Sequence, residues 1–377
     1  MKLLPEAGIL LNPRLTPARA AELSRRAASF PDLADHFWLA TSGSTGEPRL
    51  VALSREALLS SAEAVNRHLE SDSSDVWVNP LPLFHVGGLA ILARAEVSGA
   101  EAAGNLDPAA LPPWDPRTFR RLLAEERATL TSLVPTQVHD LVSLGLPPPS
   151  SLRAVLVGGA KLTKDLYLSA RRLGWPLLPT YGMTELASQA ATADLSSLES
   201  EEYPPLRILP HLQVRQEEGH LAFRGPSLFT AILEGPEPGR ILRLPRGAWW
   251  RSSDLGRVRG SFLEVKGRAG DFVKIGGETA ALPALREKLS SLARTSAFPG
   301  TALLAPRPQE RLGAELVLVY SGAREEEAAA LVGAFNAQVL PFERIRAAIF
   351  LETLPRTPLG KPAWEEIRRR IGAGRPG

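Results

Sequence analysis

The chain has 377 residues, 44% of them hydrophobic and 23% charged, and 44 Lys and Arg stand against 41 Asp and Glu for a formal net charge of +3. That length exceeds one ordinary domain, so two are expected, with one dominating; the near-balanced, scattered charge, dense only in EEIRRRIGAGRPG at the C-terminus, argues against a nucleic-acid surface. The absence of cysteine excludes disulfides, thiolate metal sites and cysteine nucleophiles.

No run approaches the roughly 18 to 20 apolar residues of a membrane helix. The opening MKLLPEAGILLNPRL lacks the long apolar core and cleavage site of a signal peptide. The cytoplasm is therefore the expected compartment.

From Asp32 to about Pro179, short β-rich runs alternate with amphipathic ones. HFWLATSG, DVWVNPLPLF, LTSLVPT, LRAVLVGG and WPLLPTYG are separated by REALLSSAEAVNRHLE, PRTFRRLLAEERA and TKDLYLSARRLG. This pattern predicts an α/β fold, a mostly parallel sheet flanked by helices. Ligands bind at the carboxyl ends of such strands. After Thr192, LQVRQEEGHLAFRGPSLF and WWRSSDLGRVRGSFLEVKGR read as strands joined by turns. Beyond Gly267 come a helix near Leu282–Leu292, the strand AELVLVYSG, the helix REEEAAALVGAFNAQV, the strand RAAIFLE and a last helix from Ala363. The expected division is a large N-terminal domain over 1–268, with a β-rich subdomain over 191–268, and a small mobile α+β lid over 269–377.

Five stretches carry chemistry. FWLATSGSTGEPRLVALS (Phe37–Ser54) reads as a strand, the loop TSGSTGEPR and a helix from Ser54. Backbone N–H groups at Gly43 and Gly46, the hydroxyls of Thr41, Ser42, Ser44 and Thr45 and the charge of Arg49 make a phosphate cradle. A plain Gly/Ser surface turn is the competing reading. Glu47 and Pro48 after Gly46 exclude a Walker A loop. In PTYGMTELAS a strand ends at Tyr181–Gly182 and a Thr-Glu pair follows where a helix could start. Glu185 suits Mg²⁺, Thr184 can donate to a phosphoryl oxygen and Tyr181 offers a flat face, although helix capping explains the pair equally well. In RSSDLGRV, Asp254 is either an Asx-turn residue or an acceptor for two ribose hydroxyls. VKGRAGDFVKIGGE leads through Gly267 and Arg268 to Gly276 and Gly277. LPRTPLGKPAWEEI presents Lys361 just before the last helix, where a lone lysine is ordinarily only solvated.

Each signal is modest, but their order is specific. Phosphate loop, YGMTE, SSD, GRAGD and TPLGK recur in this order in the adenylate-forming acyl-CoA synthetase superfamily. The chain resembles that family from about Phe37 to its end. Within it, PLPLFHVGGLAIL, LTSLVPTQVHDL and VLVGGAKL look most like the o-succinylbenzoate–CoA ligase branch, whose reaction serves menaquinone biosynthesis.

The resemblance implies an acid–thiol ligase. Such an enzyme makes an acyl adenylate from a carboxylic acid and ATP with Mg²⁺, then passes the acyl group to coenzyme A. It implies that Thr41, Ser42, Gly43, Ser44, Thr45, Gly46 and Arg49 hold the β- and γ-phosphates. Thr184 and Glu185 would contact the α-phosphate and Mg²⁺, and Tyr181 with Gly182 would lie against adenine beside Gly158, Gly159 and Ala160. Asp254 and Arg268 would grip the ribose, His85 would line the acyl pocket, Lys361 would bridge carboxylate and α-phosphate, and Gly276 and Gly277 would approach the pantetheine arm. The partners are thus small molecules, without nucleic acid or a membrane span, and the resemblance leaves room for a homo-oligomer.

Three departures stand out. Arg49 occupies a position where the family usually has Lys, which keeps the charge but changes the donor geometry. Gly270, followed by Asp271, occupies the family's usual hinge Asp, and glycine tolerates the φ/ψ change of a hinge. Relatives carry roughly 100 residues or more before the phosphate loop, whereas here it begins at Thr41, so a reduced first subdomain is expected. A ligase for another aryl or acyl acid is the main alternative; a non-catalytic nucleotide-binding relic has no need of Lys361.

Overall fold

The computed structural model describes residues 2–42, 48–110, 113–235, 239–268, 271–275, 278–309, 311–356 and 362–372. The chain divides into two compact units, Met1–Ser252 with Gly256–Val265, and Ser253–Leu255 with Lys266–Gly377. In chain order the first half runs β1 (Gly8–Leu10), α1 (Pro17–Ala28), β2 (His36–Ser42), β3 (Pro48–Ser54), α2 (Arg55–Leu69), β4 (Val76–Asn79), α3 (Val86–Ser98), β5 (Glu101–Gly104), α4 (Pro116–Glu125), β6 (Leu130–Leu133), α5 (Pro135–Ser143), β7 (Ala154–Val157), α6 (Lys164–Arg172) and β8 (Leu177–Met183). Strands then take over: β9 (Ser188–Thr192), β10 (Leu206–Ile208), β11 (Gln213–Glu217), β12 (His220–Arg224), β13 (Ala231–Glu234), β14 (Arg240–Arg243), β15 (Trp250–Arg259) and β16 (Phe262–Arg268).

Two sheets organise these strands, in the orders β1-β2-β3-β13-β14 and β11-β12-β15-β16-β10-β9-β8-β7-β6-β4-β5. Neighbours from β5 through β4, β6 and β7 to β8 are parallel, as strand–helix alternation requires. Three helices, α2, α4 and α6, start where the sequence supplies an acceptor. Ser54 Oγ accepts from Ala57 N at 3.0 Å, Asp115 Oδ1 from Thr118 N at 2.7 Å and Thr163 Oγ1 from Leu166 N at 3.3 Å. Each cap satisfies a donor that the first turn would otherwise leave unpaired.

No element is expected in the residues between the loop and the helix at Ser54, and Pro48 and Arg49 are expected in the loop itself. The stretch PRLVALS is the strand β3, paired antiparallel with β2 from His36↔Ser54 to Ser42↔Pro48, and the helix starts after it at Arg55. The helix follows its N-cap Ser54 as expected, with the unexpected strand β3 directly before it. Burial explains this. Leu50, Val51, Ala52 and Leu53 are all fully buried, with Val51 and Leu53 packed beside Phe37 and Leu39 on one face and Leu50 and Ala52 beside Leu23 and Trp38 on the other. A run apolar on both faces suits a central strand.

The second unit holds the hairpin β17 (Phe272–Ile275) and β18 (Glu278–Ala281), then α7 (Leu282–Thr295), β19 (Thr301–Gln309), β20 (Gly313–Ser321), α8 (Glu325–Asn336), β21 (Ile345–Phe350) and α9 (Trp364–Gly372). Its sheet runs β19-β20-β21, with β20 and β21 parallel across α8. Leu316, Val317, Leu318 and Val319 at its centre are fully buried. Arg286 pins α9 to this core, its guanidinium 3.9 Å from the Trp364 ring centroid and its Nε donating to Leu304 O at 3.0 Å. Among the described residues no helix is long and apolar enough to cross a membrane.

Candidate active site

The β2–β3 hairpin sets Thr41 opposite Arg49, and Thr41 Oγ1 donates to Arg49 O at 3.4 Å. From this position the Arg49 guanidinium reaches two carboxylates, Glu185 Oε1 at 3.2 Å through Nη2 and Glu234 Oε1 at 3.1 Å through Nη1. Glu185 is 6% exposed, so its charge needs a partner, and Arg49 supplies one. The planar fork of arginine suits two acceptors held apart. A buried carboxylate beside strands β2 and β3 can serve a divalent cation, which takes one or two protein carboxylates and completes its shell with phosphate oxygens and water. Among the described residues no group of three or more His, Cys, Asp or Glu could hold a metal ion. The residues present fit a cation delivered with a nucleotide.

Glu185 stands in a single 3₁₀ turn, Thr184–Leu186, between β8 and β9. The helix expected after YGM does not form there. Ala187 at φ 51° and Ser188 at φ 117° send the chain directly back as β9, with a bulge where Tyr181↔Ala191 gives way to Gly182↔Gln189. Both positive φ values are unusual for residues with side chains. Such strain persists only where the surroundings hold it. Gly182 permits the close return, since a Cβ there would sit 1.7 Å from Ser188 O. Phe229 N donates to Glu185 O at 2.9 Å. Beneath the turn lies Arg94, fully buried in α3, its Nη2 donating to Ser188 Oγ at 3.2 Å and its Nη1 to Ser132 Oγ at 3.3 Å. Burial pushes its pKa down to about 9.

The parallel strands bring further candidates to one edge. β7 ends beside β8, Val157 opposite Pro179, so Gly158 follows next to Thr180. Thr180 Oγ1 donates to Val157 O at 3.2 Å and would lie 2.7 Å from a Cβ on Gly158. Gly159 turns at φ +77°, and it and Ala160 are exposed. Tyr181 stacks near Phe223, with ring centroids 6.3 Å apart. His85 follows β4 as the N-cap of α3, exposed and 4.6 Å from the Phe84 ring centroid. Asn79 fixes that turn by donating to Asn105 O at 2.8 Å and accepting from Leu81 N at 2.9 Å.

Asp254 does not sit in a turn. It is buried in the middle of β15, on the same face as Ser252 and Gly256. Gly43, Ser44, Thr45, Gly46, Gly276, Gly277, Lys361 and Gly270, expected at the hinge, lie outside the described residues, and of Ser42 and Arg268 only the backbone is described. The sequence reading missed Glu234, which closes TAILEG without any distinguishing pattern. It also missed Arg94, although a lone cation inside GGLAILARAEV is a legible anomaly.

The family model for AMP-binding enzymes matches residues 17–232. Curated relatives include an indoleacetate–CoA ligase of Aromatoleum aromaticum, 28% identical over 88% of this chain and 66% of its own length. A 2-succinylbenzoate–CoA ligase of Bacillus mycoides is 27% identical over 88% and 69%. The chain thus spans about two thirds of the length of these relatives. Among solved structures, the o-succinylbenzoate CoA synthetase of Bacillus subtilis with its acyl-adenylate intermediate superposes with a TM-score of 0.72 at 22% identity, covering 90% of this chain and 69% of that one. The same enzyme with ATP and a magnesium ion gives 0.71 at 21%, covering 88% and 69%.

Proposed function

We propose, from the premise that this chain belongs to the AMP-binding enzyme family, that it is an AMP-forming acid–thiol ligase joining an aryl carboxylic acid to coenzyme A, with o-succinylbenzoate as the acid. In the first step a carboxylate oxygen attacks the α-phosphorus of ATP and the bond to pyrophosphate breaks. In the second the thiol sulfur of coenzyme A attacks the acyl carbon, AMP leaves and the thiol proton is lost. Magnesium, when bound, neutralises phosphate charge.

The observation that supports this reading most is the Arg49–Glu185 pair at 3.2 Å. It stores one cation and one carboxylate at the mouth of the phosphate loop, the two charges that a magnesium-bound triphosphate separates. On this reading Arg49 turns to the β- and γ-phosphates with Thr41 and the loop Ser42–Gly46, and Glu185 is released to the cation. Thr184 donates to the α-phosphate, and Tyr181, Gly182 and the Gly158–Ala160 turn border adenine. Asp254 and Arg268 take the ribose and His85 faces the acyl group. Lys361 stabilises the charge that builds on the phosphoryl oxygens, a role worth more in the transition state than in the ground state. The segment after Arg268 acts as the hinge of a mobile lid, Gly276 and Gly277 lie along the pantetheine arm, and the compartment is the cytoplasm.

The similarity to an indoleacetate–CoA ligase favours a second reading in which the acid is an arylacetate. Incubating the protein with ATP, Mg²⁺, coenzyme A and a mixture of o-succinylbenzoate, indoleacetate, benzoate and malonate, followed by mass spectrometry, separates the two. O-succinylbenzoyl-CoA is the expected product; indoleacetyl-CoA alone selects the second reading, and no thioester at saturating coenzyme A removes both.

A further inference from the structure

We propose that His211, Gln213 and Arg224 form a second small-molecule site, for a phosphate-bearing ligand of mononucleotide size, on elements separate from those that carry the Arg49–Glu185 pair. A cavity of about 550 Å³ opens in the first unit, lined by Pro210, His211, Gln213, Arg224, Pro226 and Arg246. This volume is ordinary for a small-molecule site. Gln213 begins β11 and stands directly opposite Arg224, the last residue of β12, so two polar side chains enter from paired strands.

Two features point to a polar occupant, and a third to its negative charge. Both ring nitrogens of His211 are buried and, among the described residues, without a hydrogen-bond partner, an arrangement that costs stability unless something fills it. Burial also pushes the His211 pKa down to about 4, which leaves a neutral ring offering one donor and one acceptor. Arg224, among the described residues, faces the Trp249 ring at 5.3 Å, where Arg215 lies at 4.0 Å, and no carboxylate neutralises it. Arg246, by contrast, is already engaged by Glu56 at 2.7 Å.

The walls are fixed by close packing. A Cβ on Gly225 would meet His211 O at 2.4 Å, so only glycine lets the end of β12 press against the backbone of His211. Pro210 and Pro226 supply flat apolar faces. Arg224 takes a phosphate through charge-assisted hydrogen bonds, the Gln213 amide adds donors, the His211 ring turns on binding to bring its N–H to the occupant, and a planar ring rests between the prolines.

Hydrogen–deuterium exchange on the full chain, titrated separately with adenosine 3′,5′-bisphosphate, inorganic pyrophosphate and adenosine, tests this. Protection of 209–226 and 244–250 by the bisphosphate identifies a nucleotide ligand, and protection by pyrophosphate alone identifies the free anion; adenosine gives none. Arg224→Gln weakens that protection at least tenfold and His211→Phe several-fold, while protection of 177–190 by ATP keeps its midpoint in Arg224→Gln. The proposal is overturned if neither phosphate compound protects 209–226, or if Arg224→Gln leaves the titration unchanged.

Discussion

Arg49 answers two carboxylates at once, and its replacement separates its roles. Arg49→Ala removes charge-assisted hydrogen bonds worth about 1.5–3 kcal/mol each, so the KM for ATP rises roughly tenfold to a hundredfold. Arg49→Lys restores the charge without the fork and recovers part of this; initial rates against ATP concentration check both. Arg94 poses the opposite problem. It is fully buried; among the described residues its guanidinium meets serine hydroxyls and, at 5.5 Å, the Trp77 ring, while its Nε has no partner there. Apolar replacement of a buried charge is often neutral or stabilising. Arg94→Met therefore keeps or raises the unfolding free energy, while kcat falls roughly tenfold because Ser188 and the turn before it loosen. A variant that loses stability and keeps kcat contradicts this.

At the scale of elements, two glycines separate strain from freedom. Gly182→Ala drives a methyl into Ser188 O and costs about 1–3 kcal/mol or more, whereas Gly333, exposed inside α8 with nothing within 4 Å of a Cβ, gains about 0.5–1 kcal/mol on becoming Ala. Urea titrations of both variants measure the difference. The amphipathic helices α2, α4 and α6 were legible because an apolar stripe and a capping acceptor agree. Several strands were not, β3 and β19 among them. PRLVALS, apolar on both faces, shows no period-2 alternation to mark a strand between a glycine-rich loop and a helix. TALLAPRPQ carries two prolines, and β19 accommodates them as an edge strand, where Pro306 and Pro308, two apart, both direct their missing donor away from β20. The site followed the same rule. Candidates such as Glu185 and Tyr181 stand out from their order along the chain, but the 3₁₀ turn and the Glu234 contact depend on long-range pairing that no local pattern encodes.

For the molecule as a whole, partly buried histidines set a limit on the acid side. Burial lowers the pKa of His211 to about 4 and that of His36 as well. Folding opposes their protonation, so the stability present above the ordinary value near 6.5 is lost as pH falls toward 4. His211 alone accounts for at most about 3 kcal/mol of this. Asp75 lies below the usual carboxylate range because hydrogen bonds from Arg153 and Thr129 outweigh its burial, and it joins the loss only at lower pH. Unfolding free energies between pH 7 and 4.5 therefore decline, and His211→Phe flattens that decline; parallel curves for the two proteins contradict the assignment.

The account rests on one carboxylate and one cation holding a nucleotide where an acid can attack it. Acid-dependent exchange of labelled pyrophosphate into ATP, measured without coenzyme A, tests this most directly. O-succinylbenzoate should be required for exchange, and Glu185→Gln should cut it roughly a hundredfold or more while Glu63→Gln on the exposed face of α2 leaves it intact. Exchange that proceeds at the same rate without any acid, or that survives Glu185→Gln, would contradict the account.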